Sequence, residues 1–97
     1  MIKQKNNRVV VTGLGLVTPL GIGVQPTWAS LCAGKSGVGE ITRFDCSDYP
    51  TKIAAEVKDF KARDFMSKKD ARRVELFIAY ALAATRMAIE DSGLVID

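Results

Sequence analysis

Arg8–Gly23, RVVVTGLGLVTPLGIG, decides the fold class of this chain. Its first five residues, Arg8 to Thr12, form a β-branched run that Gly13 stops. Such continuous apolar character suits an internal strand covered on both faces. The glycines at 13, 15, 21 and 23, with Pro19 among them, predict a long connection hugging a neighbouring element, not a two-residue hairpin turn. Pro26 then fits the first turn of a helix, where its missing N–H is not needed. Trp28, Leu31 and Cys32 share one face of that helix, and Gly34 supplies its C-terminal stop. Residues 35–50, KSGVGEITRFDCSDYP, read as irregular chain with ITRF as a short extended segment, and Lys52–Val57 as a strand of modest propensity.

A long helix is expected from Ser67 to Gly93. Ser67 and Asp70 have the spacing of a capping box, with Asp in place of the preferred Glu or Gln. Val74, Phe77, Ile78, Ala81, Leu82, Ala88 and Ile89 describe one apolar stripe, flanked by the small residues Ala79, Ala83 and Ala84. Together these parts predict an α/β layer that needs further strands to cover it.

The chain has 97 residues, 47% hydrophobic and 26% charged, with a formal net charge of +3. That length accommodates one small domain or a piece of a larger one. The apolar content excludes wholesale disorder. There is no histidine, so any mechanism needing an imidazole base or ligand is excluded within these residues. Two cysteines, Cys32 and Cys46, make no CxxC pair, and without histidine they form no zinc site. Cys32 reads as a small apolar residue, while Asp45 and Asp48 disfavour a thiolate at Cys46. No apolar run approaches membrane-span length and no secretory signal is visible, which predicts a cytoplasmic protein.

Gly13-Leu14-Gly15 after a strand invites a dinucleotide reading. The third glycine position is Thr18, followed by Pro19, and no acidic residue stands about 20 residues on. Gly34-Lys35-Ser36 has the tail of a phosphate loop, but Ala29 occupies the place of its first glycine. The glycines are therefore read as permitting close backbone packing.

The basic character is local. Residues 58–73 hold seven basic and three acidic side chains. On the helix, Lys69, Arg72 and Arg73 fall within an arc of about 100°, away from the apolar stripe. That patch suits phosphates or a partner bearing carboxylates. Interleaved exposed aromatics and a recognisable nucleic-acid module are both missing, so no nucleic-acid partner is expected.

From RVVVTGLGLVTPLG through TWASLCAGKSGVGEITRFD, YPTKIAAEVKDF and SKKDARRVELFIAYALAATRMAIEDSGL, residues 8–94 closely resemble the amino-terminal part of the β-ketoacyl-acyl carrier protein synthases. The resemblance implies an α/β, layered thiolase-like fold, incomplete in this chain, with residues 1–97 forming the N-terminal segment of its N-terminal domain. It implies a homodimer and a decarboxylative Claisen condensation of malonyl-acyl carrier protein with an enzyme-bound acyl group. It implies no separate cofactor and no metal. The family's nucleophilic cysteine and two histidines belong to segments beyond residue 97, so Cys32 and Cys46 inherit no catalytic role. The missing histidines are then expected to mark a truncated chain, not a substituted site. What carries over is a docking surface: the positions matching the family's basic residues for acyl carrier protein are Lys69, Arg72 and Arg73, with Lys68 adjacent. The alternatives are a noncatalytic carrier-binding or chain-length-factor-like subunit of a polyketide system, and an unrelated small basic domain.

Overall fold

The computed structural model describes residues 6–97. Two short strands, β1 (Val17–Thr18) and β2 (Gly21–Ile22), form an antiparallel hairpin with Val17 opposite Ile22 and Thr18 opposite Gly21. The two-residue turn Pro19-Leu20 corrects the expectation of a long connection. Thr18 closes it: its Oγ1 accepts from the amides of Leu20 and Gly21, both at 3.1 Å. A threonine hydroxyl bonded to backbone one turn ahead stabilises such a bend without a special dihedral.

Helix α1 (Val24–Cys32) follows, with Pro26 in its first turn as expected. It ends in a Schellman motif: the Gly34 amide donates to Leu31 O at 3.1 Å and the Lys35 amide to Ser30 O at 3.0 Å. Gly34 has φ +71, which a residue with a Cβ adopts at a cost. The buried residue of α1 is Thr27, whose Oγ1 donates to Gly23 O at 2.7 Å and lies 3.0 Å from Thr18 Oγ1. Trp28 and Leu31, the expected packing face, stay 63% and 54% exposed, and Cys32 is exposed with them.

Strands β3 (Val38–Glu40) and β4 (Ile53–Ala55) pair antiparallel, with Gly39 opposite Ala54. The strand read at Lys52–Val57 is thus present, but its partner lies in chain read as irregular, just before ITRF. The Glu56 carboxylate staples this ribbon by accepting from Thr42 Oγ1 at 2.8 Å and from the Thr42 and Arg43 amides. Those bonds, led by the Thr42 hydroxyl, hold its pKa below the usual glutamate range. A depressed folded pKa stabilises above the unfolded pKa and loses that stabilisation as pH falls through the folded one. The Thr42 and Arg43 amides should therefore lose hydrogen-exchange protection as pH drops from about 5 to about 3. Glu56→Gln should flatten that dependence; equal profiles for parent and variant would refute it.

After a 3-10 turn (Ala62–Asp64), the expected long helix is two helices: α2 (Lys68–Arg73) and α3 (Leu76–Ser92). Val74 and Glu75 are extended, with ψ 144 and 156. Helix propensity alone does not hold so long a run together without packing, and Leu76 and Phe77 beside the break are exposed. Ser67 caps α2 as the sequence implies, its Oγ accepting from the Asp70 amide at 3.1 Å. Gly93 ends α3 in the left-handed region.

The stripe read as the core face of α3 is not what this chain buries. Phe77 is 70% exposed and Leu82 47%, whereas Ala79 and Ala83 are buried. Against the small-residue side lie Gly13 and Gly15, next to the backbone of Ala84, Ala88 and Ser92. The Leu14 amide donates to Asp91 Oδ2 at 3.0 Å and fixes that approach. Arg8–Thr12, expected as an internal strand, pairs with no strand among the described residues. Val9, Val10 and Val11 remain 94%, 65% and 78% exposed. A strand needs a ladder to satisfy its backbone, and here no neighbour supplies one.

The accessible surface is 8194 Å², against roughly 5400 Å² for a folded monomer of this mass. The radius of gyration is 18.1 Å, against about 12.5 Å for a compact domain of this length. Exposed apolar side chains such as Val9, Val11 and Phe77 contribute to that excess.

Candidate functional site

Lys69, Arg72 and Arg73, the cations expected to form a docking surface, all sit on α2, at i, i+3 and i+4, and all three are exposed. The helix break changes their electrostatics. In one long helix all would lie near the positive N-terminal end of the dipole. In the observed α2, Arg72 and Arg73 occupy the last turn, where cations are favoured, while Lys68 and Lys69 stay in the first. Among the described residues, Lys68, Lys69, Arg72 and Arg73 donate no side-chain hydrogen bond, and the ion pair present is Arg86–Glu90 at 3.1 Å.

The two arginines serve different flanks. Arg72 borders a surface cavity of about 600 Å³ that Lys68, Arg63 of the 3-10 turn and the preceding Lys61 also line. Arg73 borders a second cavity of about 790 Å³ between α2 and α3, whose apolar wall includes Phe65, Val74, Leu82 and Ile89. Lys69 borders neither.

This basic segment is anchored on α3. Arg86 Nη1 donates to Phe65 O at 2.7 Å. Phe60 stacks on Phe65 with centroids 5.8 Å apart and meets Tyr80 edge-on at 4.9 Å. The Tyr80 hydroxyl accepts from Arg43 Nη2 at 3.0 Å, which, ahead of other causes, raises the Arg43 pKa above its ordinary value. Charge alone pointed to residues 58–73; only the fold brings Lys61 and Arg63 to the same cavity as Lys68 and Arg72. Lys61 and Arg63 belong to the same local excess of basic residues, and their sequence spacing gives no sign of this juxtaposition.

Cys32 and Cys46 are free thiols, and among the described residues no three His, Cys, Asp or Glu side chains cluster to hold a metal. No helix among them is long and apolar enough to cross a membrane.

Comparison with known proteins gives this α/β framework a family. Residues 6–97 match the family described as "Beta-ketoacyl synthase, N-terminal domain". The 3-oxoacyl-(acyl-carrier-protein) synthase 2 of Coxiella burnetii is 50% identical over 94 residues, covering 97% of this chain and 23% of that protein. Its counterpart from Synechocystis is 45% identical over 97 residues, again 23% of the longer protein. Among solved structures, "The ishigamide ketosynthase/chain length factor" superposes with a TM-score of 0.72 at 38% identity, covering 89% of this chain and 21% of that one. The chain thus spans about a quarter of the length of the curated relatives it matches.

Proposed function

This chain belongs to the β-ketoacyl synthase family, and on that footing we propose that the whole protein is a β-ketoacyl-acyl carrier protein synthase acting in fatty acid elongation. The observation that supports this most is the identity of 45–50% to the two synthases along nearly the whole chain. In the proposed reaction, a cysteine thiolate outside these residues takes the acyl group from its carrier thioester. Decarboxylation of malonyl-acyl carrier protein then gives a carbanion that attacks the acyl-enzyme, expels the thiolate and forms the β-ketoacyl product. A thiolate of lowered pKa and donors aimed at the developing oxyanion are what such chemistry needs. Neither Cys32 nor Cys46 is assigned a part in it, and no organic cofactor or metal is invoked. The protein is proposed to act in the cytoplasm, as a homodimer.

Within residues 1–97, the proposed role is reception of acyl carrier protein at Lys69, Arg72 and Arg73. Their support is geometric: three exposed, unpaired cations on one short helix. In the whole protein, Lys69→Glu with Arg72→Glu should raise the Kd for acyl carrier protein by about tenfold or more at low salt and flatten its salt dependence. Unchanged affinity in a folded double variant would remove this patch as the docking site.

The 38% identity to a ketosynthase/chain length factor keeps a second reading in view, a noncatalytic partner subunit of a polyketide system. Mass spectrometry of the whole protein after incubation with an acyl thioester separates the two. An acyl adduct on a cysteine supports the enzyme; its absence supports the partner subunit.

A further inference from the structure

We infer that Lys61 and Arg63 are docking residues as well, forming with Lys68 and Arg72 a two-walled basic cleft that receives carboxylates of the acidic carrier protein. This rests on the docking reading above and extends it from one helix face to a concave surface built by two elements. Four cations line the cavity of about 600 Å³ against a single acid, Asp64, and Ala62 and Ala71 keep its lining small. A cavity of that volume is on the order of 10 Å across, about one Debye length at physiological salt, so its charges act on a bound group together.

The second wall is fixed before any partner arrives. The 3-10 turn closes through the Asp64 amide to Lys61 O at 3.1 Å and the Phe65 amide to Ala62 O at 3.0 Å. The Met66 amide reaches Ala62 O at 3.1 Å, and Arg86 holds Phe65 O to α3. A rigid pair of walls loses little conformational freedom on binding. Among the described residues no aromatic lines the cleft, and Phe65, next in sequence to its Asp64, is half-buried and stacked on Phe60, so it offers no platform for nucleic-acid bases. Carboxylates on a protein helix fit this chemistry better than a nucleic acid does.

The test titrates holo-acyl carrier protein into the whole protein at low ionic strength, comparing Lys61→Glu/Arg63→Glu with Lys69→Glu/Arg72→Glu and with Lys35→Glu, an exposed cation outside the cleft. The first double variant should raise Kd by about tenfold and flatten the salt dependence, while Lys35→Glu changes it less than about twofold. The milder Lys61→Gln/Arg63→Gln, with an unchanged thermal melt, should give an intermediate loss. If the Lys61/Arg63 reversal stays near parental affinity while the Lys69/Arg72 reversal does not, the cleft is refuted and helix docking stands. If neither reversal weakens binding, docking at α2 fails and the cleft falls with it. A duplex oligonucleotide that competes as strongly as carrier protein overturns the assignment to carboxylates.

Discussion

Gly15→Ala is expected to destabilise the whole protein by about 3 kcal/mol or more, the upper range for overpacking. A Cβ on Gly15 would lie 1.8 Å from Ala84 O and 2.8 Å from both Ala84 C and Ala88 N. These are backbone atoms of α3, so no side-chain rotation relieves the clash. The helix would have to move away, with loss of the Leu14–Asp91 bond. Ala84→Gly should therefore fail to rescue the variant, since it removes none of the atoms that collide. Gly39→Ala is the control. Nothing lies within 4 Å of its added Cβ, and an exposed change of that kind is usually worth less than about 0.5 kcal/mol. The check is thermal melting of the whole protein and its variants. A Gly15→Ala variant that melts within about 2 °C of the parent would contradict the close approach.

The second large effect is a loss of all activity. Residues 1–97 expressed alone should form no β-ketoacyl product from acyl and malonyl thioesters, and should show no cooperative melting transition. The chemical argument is the absence of histidine, which leaves neither free cysteine an imidazole base. The physical argument is the surface. This chain exposes roughly half again as much area as a folded monomer of its mass. Conformational entropy of about 1–2 kcal/mol per ordered residue then has too little apolar burial to offset it. Val9–Val11 and the Phe77/Leu82 side of α3 are also open to non-native association. The assays are product detection by mass spectrometry and a calorimetric scan of purified, contaminant-free chain. Measurable turnover, or a sharp two-state transition, would refute these expectations.

Much of the local structure was legible in the sequence because it is set by near neighbours. Ser67 caps α2, Pro26 stands in the first turn of α1, and Gly34 and Gly93 end their helices in left-handed geometry, all as residue type and spacing indicate. The hairpin at Pro19-Leu20 was not legible because its turn rests on the Thr18 hydroxyl accepting from two amides, a bond that glycine spacing does not report. The cations of α2 were visible as a local excess of positive charge. Their division between two flanks was not, because it depends on the break at Val74-Glu75 and on Arg86 pinning the preceding loop.

The opening stretch, Arg8–Gly23, shows the boundary most clearly. By itself the sequence determined family, α/β class and the need for glycine at close contacts, since these follow from composition, spacing and extended likeness. Tertiary structure alone decided that the glycines press on the alanine side of α3 and that the valine run before them finds no ladder in these residues. Periodicity reports that a face is apolar. Which surface covers it depends on distant chain, and for the valines and for Phe77 no residue described here does so.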